Sequence, residues 1–312
     1  MIKTNVFILK VGKCLRRKMK VMNNENINKT NINWYPGHMA RARREIENSI
    51  KLVDVVIEMV DARIPISSRN PILNEIIANK PRVIVLNKAD LASECETKKW
   101  CDYFKKDNQI AIAVNSNQGV GVKEVVSATY KLMDEMLKKK EAKGQVGASI
   151  KAMIVGIPNV GKSTFINKIA GKQTTETGNK PGVTKRNQWV RLNDRIQLLD
   201  TPGVLWPKFD DELTARHLAY IGTIKDTILD VEELALHLIE ELLVRNKSKL
   251  FERYKISDDF EYETPLEVME EIGRKRGCLV RGGEVDYTKV ANILLDEFRS
   301  GKIGNITLEC VK

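Results

Sequence analysis

The sequence predicts an α/β domain with a mostly parallel sheet, followed by a small all-α domain. Short apolar, β-branched runs alternate with amphipathic stretches as far as residue 206, and one of these runs ends in a glycine-bounded loop that opens a helix; beyond Phe209 the periodicity is helical alone. A chain of 312 residues is long enough to bury two cores.

Residues 1–33 carry seven Lys/Arg and no acid before Met22, then an Asn-rich stretch, and are expected to be a disordered extension. A start placed upstream of a true Met22 explains them, and an organelle-targeting leader is the alternative. Order is expected from Trp34-Tyr35-Pro36-Gly37-His38-Met39 into a basic helix from about Ala40 to Lys51. Buried strands follow at Val53–Val60, Arg82–Leu86 and Ile110–Val114, with helices near Pro71–Ala78, Ser93–Lys105 and Val122–Lys139 between and after them. After a linker from Lys138 to Ser149, the strand Ile150–Val155 leads into Gly156-Ile157-Pro158-Asn159-Val160-Gly161-Lys162-Ser163-Thr164 and a helix to Ala170. Two strands, Gln188–Leu192 and Ile196–Leu199, end at Asp200-Thr201-Pro202-Gly203. Helices are expected at Leu213–Ile221, Val231–Val244, Thr264–Arg276 and Thr288–Arg299, the third opened by Thr264-Pro265-Leu266-Glu267, with Gly277 and Gly301 as C-terminal caps. The domains are therefore expected at 34–206 and 207–312.

The net charge of +11 is uneven: residues 1–206 hold 36 Lys/Arg against 19 Asp/Glu, and residues 207–312 hold 16 against 22. A strongly basic first part predicts a polyanionic partner, most simply nucleic acid. Two basic clusters could meet phosphates: Arg41, Arg43 and Arg44 beside Trp34 and Tyr35, and Arg274-Lys275-Arg276 with Arg281. No apolar run reaches the length of a membrane span. Five scattered cysteines without a C-x-x-C pair point to a reducing compartment, and a cytoplasmic location is expected, mitochondrial if the extension is a leader.

G-x-x-x-x-G-K-S between strand and helix is a phosphate-binding loop. Its backbone N–H groups, with those of Val160, Gly161 and Thr164 among them, and the helix N-terminus face phosphate oxygens. Lys162 reaches the β- and γ-phosphates, and Ser163 offers a hydroxyl to Mg²⁺. Asn87-Lys88-Ala89-Asp90 is N-K-x-D at a strand end. The Asp90 carboxylate accepts two hydrogen bonds from guanine N1–H and its exocyclic amine, which adenine cannot offer, so GTP and GDP are expected over adenine nucleotides. Asn87 can meet the base and tie loops together, the Lys88 stem can lie over the ring, and Asn115-Ser116 at the next strand end would support it. Asp200 of D-x-x-G holds Mg²⁺ through water, and the Gly203 N–H can sense the γ-phosphate. Thr184, in Pro181-Gly182-Val183-Thr184, is the candidate switch threonine on Mg²⁺, in competition with Thr174, Thr175 and Thr177.

These are the parts of a P-loop GTPase domain in permuted order, because N-K-x-D precedes the phosphate loop. With W-Y-P-G-H-M, Asp61-Ala62-Arg63-Ile64-Pro65 and I-P-N-V-G-K-S, the chain from residue 34 onward resembles the YlqF/RbgA family of circularly permuted GTPases. The resemblance implies a ribosome-stimulated GTPase acting late in large-subunit assembly, bound to rRNA and the large ribosomal subunit, off the membrane and monomeric when free. It also implies that His38 positions the attacking water, since Val204 and Leu205 stand where a glutamine would do so, and that Asn159 helps bind K⁺. His217 and His237 are expected to be packing or surface residues. A nucleotide-gated RNA-binding scaffold with slow hydrolysis is the alternative. Small-subunit permuted GTPases carry an OB barrel or a zinc-binding cysteine cluster, which this sequence lacks. Finally, D-x-x-G is expected to feed through Val204-Leu205-Trp206-Pro207 almost directly into the helical domain.

Overall fold

The structure, a computed structural model, describes residues 44–77, 80–106, 108–145, 148–171, 188–193, 195–203, 205, 211–224 and 230–311. Trp34, Tyr35, His38, Thr184 and most of the first basic cluster lie outside the described residues. The chain divides into a sheet unit, which runs to Asp230 and takes back Leu294 onward, and a helical unit over Val231–Ile293. The division thus falls 24 residues beyond the expected 206/207 boundary, and the last residues return to the sheet. The first described helix after D-x-x-G, α5 (Glu212–Tyr220), therefore belongs to the sheet unit and not to the helical one.

The sheet unit contains β1 (Val55–Asp61), α1 (Pro71–Ile77), β2 (Arg82–Asn87), α2 (Glu94–Phe104), β3 (Gln109–Val114), α3 (Val122–Ala142), β4 (Ile150–Gly156), α4 (Lys162–Ala170), β5 (Gln188–Arg191), β6 (Ile196–Asp200) and α5 (Glu212–Tyr220). The strand order is β3-β2-β1-β4-β6-β5, parallel except for β5 against β6. Every residue of β1 and β2 is buried, as expected of central parallel strands covered on both faces. The connections β1-α1-β2-α2-β3 move one way across the sheet, so right-handed crossovers put α1 and α2 on one face; α3 returns on the other and contacts α4. Under α1, Ile46, Ile50, Val53, Val56, Leu73, Ile77, Met153, Val155 and Leu199 form one apolar cluster. A second cluster, under α2, joins Val60, Ala62, Ile84, Leu86, Ala92, Trp100 and Phe104.

The helical unit holds α6 (Val231–Arg245), α7 (Lys247–Tyr254), α8 (Pro265–Arg276) and the start of α9 (Tyr287–Arg299). Thr264 accepts from Glu267 N, and Glu267 Oε2 accepts from Glu263 N, one residue before the amide expected. Gly277 and Gly301 close α8 and α9 at φ +64° and +73°. The short helix α7 is the element that periodicity missed, since Lys247-Ser248-Lys249 opens it without an apolar stripe.

The segment after α9 is tied to the rest of the sheet unit by backbone bonds from Ile306 and Leu308, by the Thr307 hydroxyl and by the Glu309 carboxylate. Glu309 accepts hydrogen bonds from Ile66 N (2.6 Å), Ser67 N (3.0 Å) and Ser67 Oγ, and lies 3.1 Å from His217 Nδ1. His217 is buried and also within 3.0 Å of Ser67 Oγ, so it is a packing residue that belongs to this latch. Glu309→Ala leaves these donors without their anion. It is expected to cost about 2 kcal/mol and to lower the melting temperature by roughly 4–8 °C; a thermal melt within 1 °C of wild type would refute the latch.

Candidate functional site

β1 and β4 are neighbours from which the chain moves outward in opposite directions, the switch point where α/β sheets bind ligands beyond the carboxyl ends of their strands. All the sequence motifs among the described residues converge there. N-K-x-D leaves β2, Asn115-Ser116 leaves β3, the phosphate loop leaves β4 and D-x-x-G leaves β6.

Asn87 is the joint between three of these loops. Its Nδ2 donates to Val160 O of the phosphate loop (2.7 Å), and its Oδ1 accepts from Ser116 N (3.1 Å) and Ser116 Oγ (2.7 Å). Asn115 closes its own loop by accepting from Gln118 N at 3.1 Å. Gly161, at φ +101°, packs so tightly on this joint that a Cβ there would stand 2.3 Å from Asn87 Nδ2. Only glycine fits that conformation and that space. Asp90 is exposed in the turn after Lys88, where a carboxylate can reach a ligand edge.

The Lys162 ammonium is buried and donates to the carbonyls of Gly156 (3.0 Å) and Ile157 (2.9 Å), which fixes it over the loop. Burial pulls its pKa down to about 8, against the opposing pull of the Asp200 carboxylate. An unfolded lysine titrates near 10.5, so between about pH 8 and 10.5 the unfolded chain binds the extra proton. Stability from this residue therefore rises with pH across that window. Chemical denaturation at stepped pH should show the rise in wild type and its loss in Lys162→Met.

Gly203 brings D-x-x-G against the phosphate loop: a Cβ there would fall 2.8 Å from Pro158 and 2.9 Å from Lys162 Nζ. Thr201 Oγ1 anchors the same turn on Ile154 O at 2.6 Å. Asp200 is fully buried, and with Ser163 at the start of α4 it supplies only oxygen donors, a set suited to a small hard cation such as Mg²⁺. Asn159 sits at φ +60° and donates through Nδ2 to Gly222 O at 2.9 Å.

The network behind the guanine loop was not read from sequence. Asp61, at the end of β1 and fully buried, takes Arg63 Nε (2.9 Å) and Nη2 (2.8 Å), Arg63 N (3.1 Å) and the Lys88 ammonium (3.2 Å). These cations hold its carboxyl well below the usual range although burial opposes them. Lys88 is thereby anchored at its tip, which sets the path of its stem. Arg63 Nη1 continues to the carbonyls of Phe298 (3.5 Å) and Arg299 (3.2 Å) at the end of α9. Arg299 in turn donates to Ala219 O and Tyr220 O, both at 2.9 Å, next to the Gly222 that Asn159 contacts. The D-A-R triplet at a strand end was the available signal, since an acid that must be buried there requires a cation two residues on.

In the helical unit, Arg274 pairs with Glu270 (3.2 Å) and Glu271 (3.5 Å), Lys275 with Glu271 (3.6 Å), and Arg276 stacks 5.0 Å from the Tyr254 ring. The second basic cluster is therefore largely compensated within its own unit. Among the described residues no group of His, Cys, Asp and Glu is placed to hold a metal by itself, and no helix is long and apolar enough to cross a membrane.

Residues 151–268 match the family model described as 50S ribosome-binding GTPase, a match that starts in β4 and leaves the preceding guanine loop outside. Ribosome biogenesis GTPase A of Bacillus cereus is 48% identical over 278 residues, 89% of this chain and 93% of the relative. The protein of that name from Thermotoga maritima is 33% identical over 89% of this chain and 94% of its own length. Mouse mitochondrial ribosome-associated GTPase 1 is 32% identical over 88% and 89%. Among solved structures, GDP-bound TM YlqF superposes with a TM-score of 0.59 at 28% identity, over 86% of this chain and 99% of that one. Identity of this extent, in a GTPase domain whose guanine loop comes before its phosphate loop, means that the chain belongs to the ribosome biogenesis GTPase A (YlqF/RbgA) family of circularly permuted GTPases.

Proposed function

We propose that this GTPase hydrolyses GTP as a late assembly factor of the large ribosomal subunit, binding rRNA in a nucleotide-dependent way in the cytoplasm and monomeric when free. The observation that best supports it is the Asn87 joint, because it makes one rigid body of the guanine-reading and phosphate-binding loops. Asp90 selects guanine and Lys88 lies along its plane, while the amides of Val160 to Thr164 and Lys162 hold the phosphates. Asp200, Ser163 and Thr184 would hold Mg²⁺, which when bound neutralises charge at the β–γ bridge. Asn159 Oδ1, on the side of the amide away from its bond to Gly222, is suited to a K⁺ ligand. Gly203 N–H reports the γ-phosphate. Leu205 is buried and apolar and cannot orient water, and the resemblance to the family supports His38 in that role.

The deciding measurement is co-sedimentation with large, small and whole ribosomes in GDP and in a non-hydrolysable GTP analogue, alongside turnover with and without large subunits. Binding to large subunits only in the GTP-like state, with faster turnover, is expected; binding to small subunits alone would overturn the proposal. His38→Ala should keep nucleotide affinity and lose the stimulated turnover, and exchanging K⁺ for Na⁺ should slow it.

A further inference from the structure

A second basic pocket lies away from the nucleotide loops, and none of the roles above uses it. It has a volume of about 490 Å³ and is lined by Arg69, Lys80, Arg82, Tyr103 and Lys106 among others. Arg82 and Gln109 pair at the starts of β2 and β3, whereas the guanine loop leaves β2 at Asn87. The two sites are therefore separated by the length of β2, roughly 16 Å at the usual rise per residue.

The pocket is built on Glu58, which is 1% exposed and faces the same side of the sheet as Val56 and Val60. Glu58 accepts Arg69 Nε (3.0 Å) and Nη2 (2.9 Å), and also Arg82 Nη1 (2.9 Å). Asn74 Oδ1 takes a further bond from each arginine, at 2.9 and 2.7 Å. One carboxylate thus serves two guanidinium groups, and one positive charge is left over where little water reaches. Among the described residues Arg82's side-chain hydrogen bonds run through Nη1, so Nε and Nη2 remain as donors there. Lys80 is held by the neutral Val53 O at 2.6 Å, which positions its ammonium without cancelling it. Lys106 is exposed and makes no ion pair among the described residues. Burial lowers the Arg82 pKa, with Arg69 adding to it and the Glu58 carboxylate opposing it.

At the rim stands Tyr103, 51% exposed, its ring braced edge-on by Trp100 (centroids 5.1 Å apart) and by Phe104 (5.4 Å). A fixed cationic floor beside a rigid exposed ring is the arrangement that binds a phosphodiester and stacks its base. We propose that this pocket is a second phosphate site, taking a backbone phosphate of single-stranded RNA on Arg82 and Lys106 with the adjoining base on Tyr103. The proposal does not rest on the nucleotide site.

It is tested on the full chain by fluorescence anisotropy with a labelled single-stranded RNA of about 12 nucleotides, over a range of KCl concentrations. Tyr103→Ala should weaken RNA binding by at least about 5-fold, and Lys106→Ala should lower the slope of log affinity against log salt by about 0.7. Lys106 is exposed, so Lys106→Ala should leave the melting temperature unchanged, and both variants should bind fluorescent GDP as wild type does. A double variant that binds RNA with the wild-type constant and slope would overturn the proposal. So would a double variant that loses only the binding of inorganic pyrophosphate, since the occupant would then be a small anion and not RNA.

Discussion

Asn87→Ala is expected to lower affinity for guanine nucleotides by about 100-fold, because it removes three hydrogen bonds that together contribute about 3 kcal/mol to the assembled site. Those bonds lock Val160 of the phosphate loop and Ser116 of the β3 loop onto the guanine loop, so the alanine variant has to bring three segments together as the ligand binds. Asn87→Asp should be at least as damaging. It keeps the acceptor for Ser116 but turns a carboxylate oxygen toward Val160 O, 2.7 Å away, where a donor stood. Titration with fluorescent GDP measures both variants. An alanine variant within 5-fold of wild type would mean that the loops hold their places without the joint.

Asp61→Ala should give the largest loss of stability, about 3–5 kcal/mol, because it leaves the buried Arg63 and the half-buried Lys88 without their shared anion. In a chain of this size that lowers the melting temperature by roughly 6–20 °C. The pH dependence has a definite sign. The folded carboxyl titrates well below the ordinary range, so its contribution is complete above the pH at which an unfolded aspartate ionises and is lost progressively as the pH falls from there to the folded group's lower pKa. Acid denaturation of Asp61→Asn should therefore lack a component seen in wild type below about pH 4. Weaker guanine binding should accompany the stability loss, since the Lys88 tip loses its anchor. A variant that melts like wild type would show that the cations find other partners.

The phosphate loop, the guanine loop and D-x-x-G were legible because each is a contiguous string at the end of a strand, and the strand alternation already placed their carboxyl ends together. The interlocking of Asn87 with Ser116 was foreshadowed as a tie between loops. Two things were not legible. The sheet unit's claim on residues 211–230 and 294–311 depends on contacts such as Glu309 with Ser67, which join residues 242 apart and leave no periodic trace. Helical periodicity also cannot say which core a helix joins, so α5 and the end of α9 looked the same as α6 and α8. The Asp61 network lay in plain view as D-A-R, yet its acceptors at Phe298 and Arg299 came from a helix that pattern alone assigned to another domain.

The bracing of the guanine loop has a consequence for the order in which the protein is made. Arg63 is synthesised 235 residues before the carbonyl of Phe298 that completes its shell, and Ser67 is synthesised 242 residues before Glu309. A nascent chain that has exposed both nucleotide-binding loops still lacks the piece that steadies one of them. Pairings so distant in sequence form late and slowly. The bracing of the guanine loop through Asp61 and Arg63 is therefore expected to be complete only after α9 has been made.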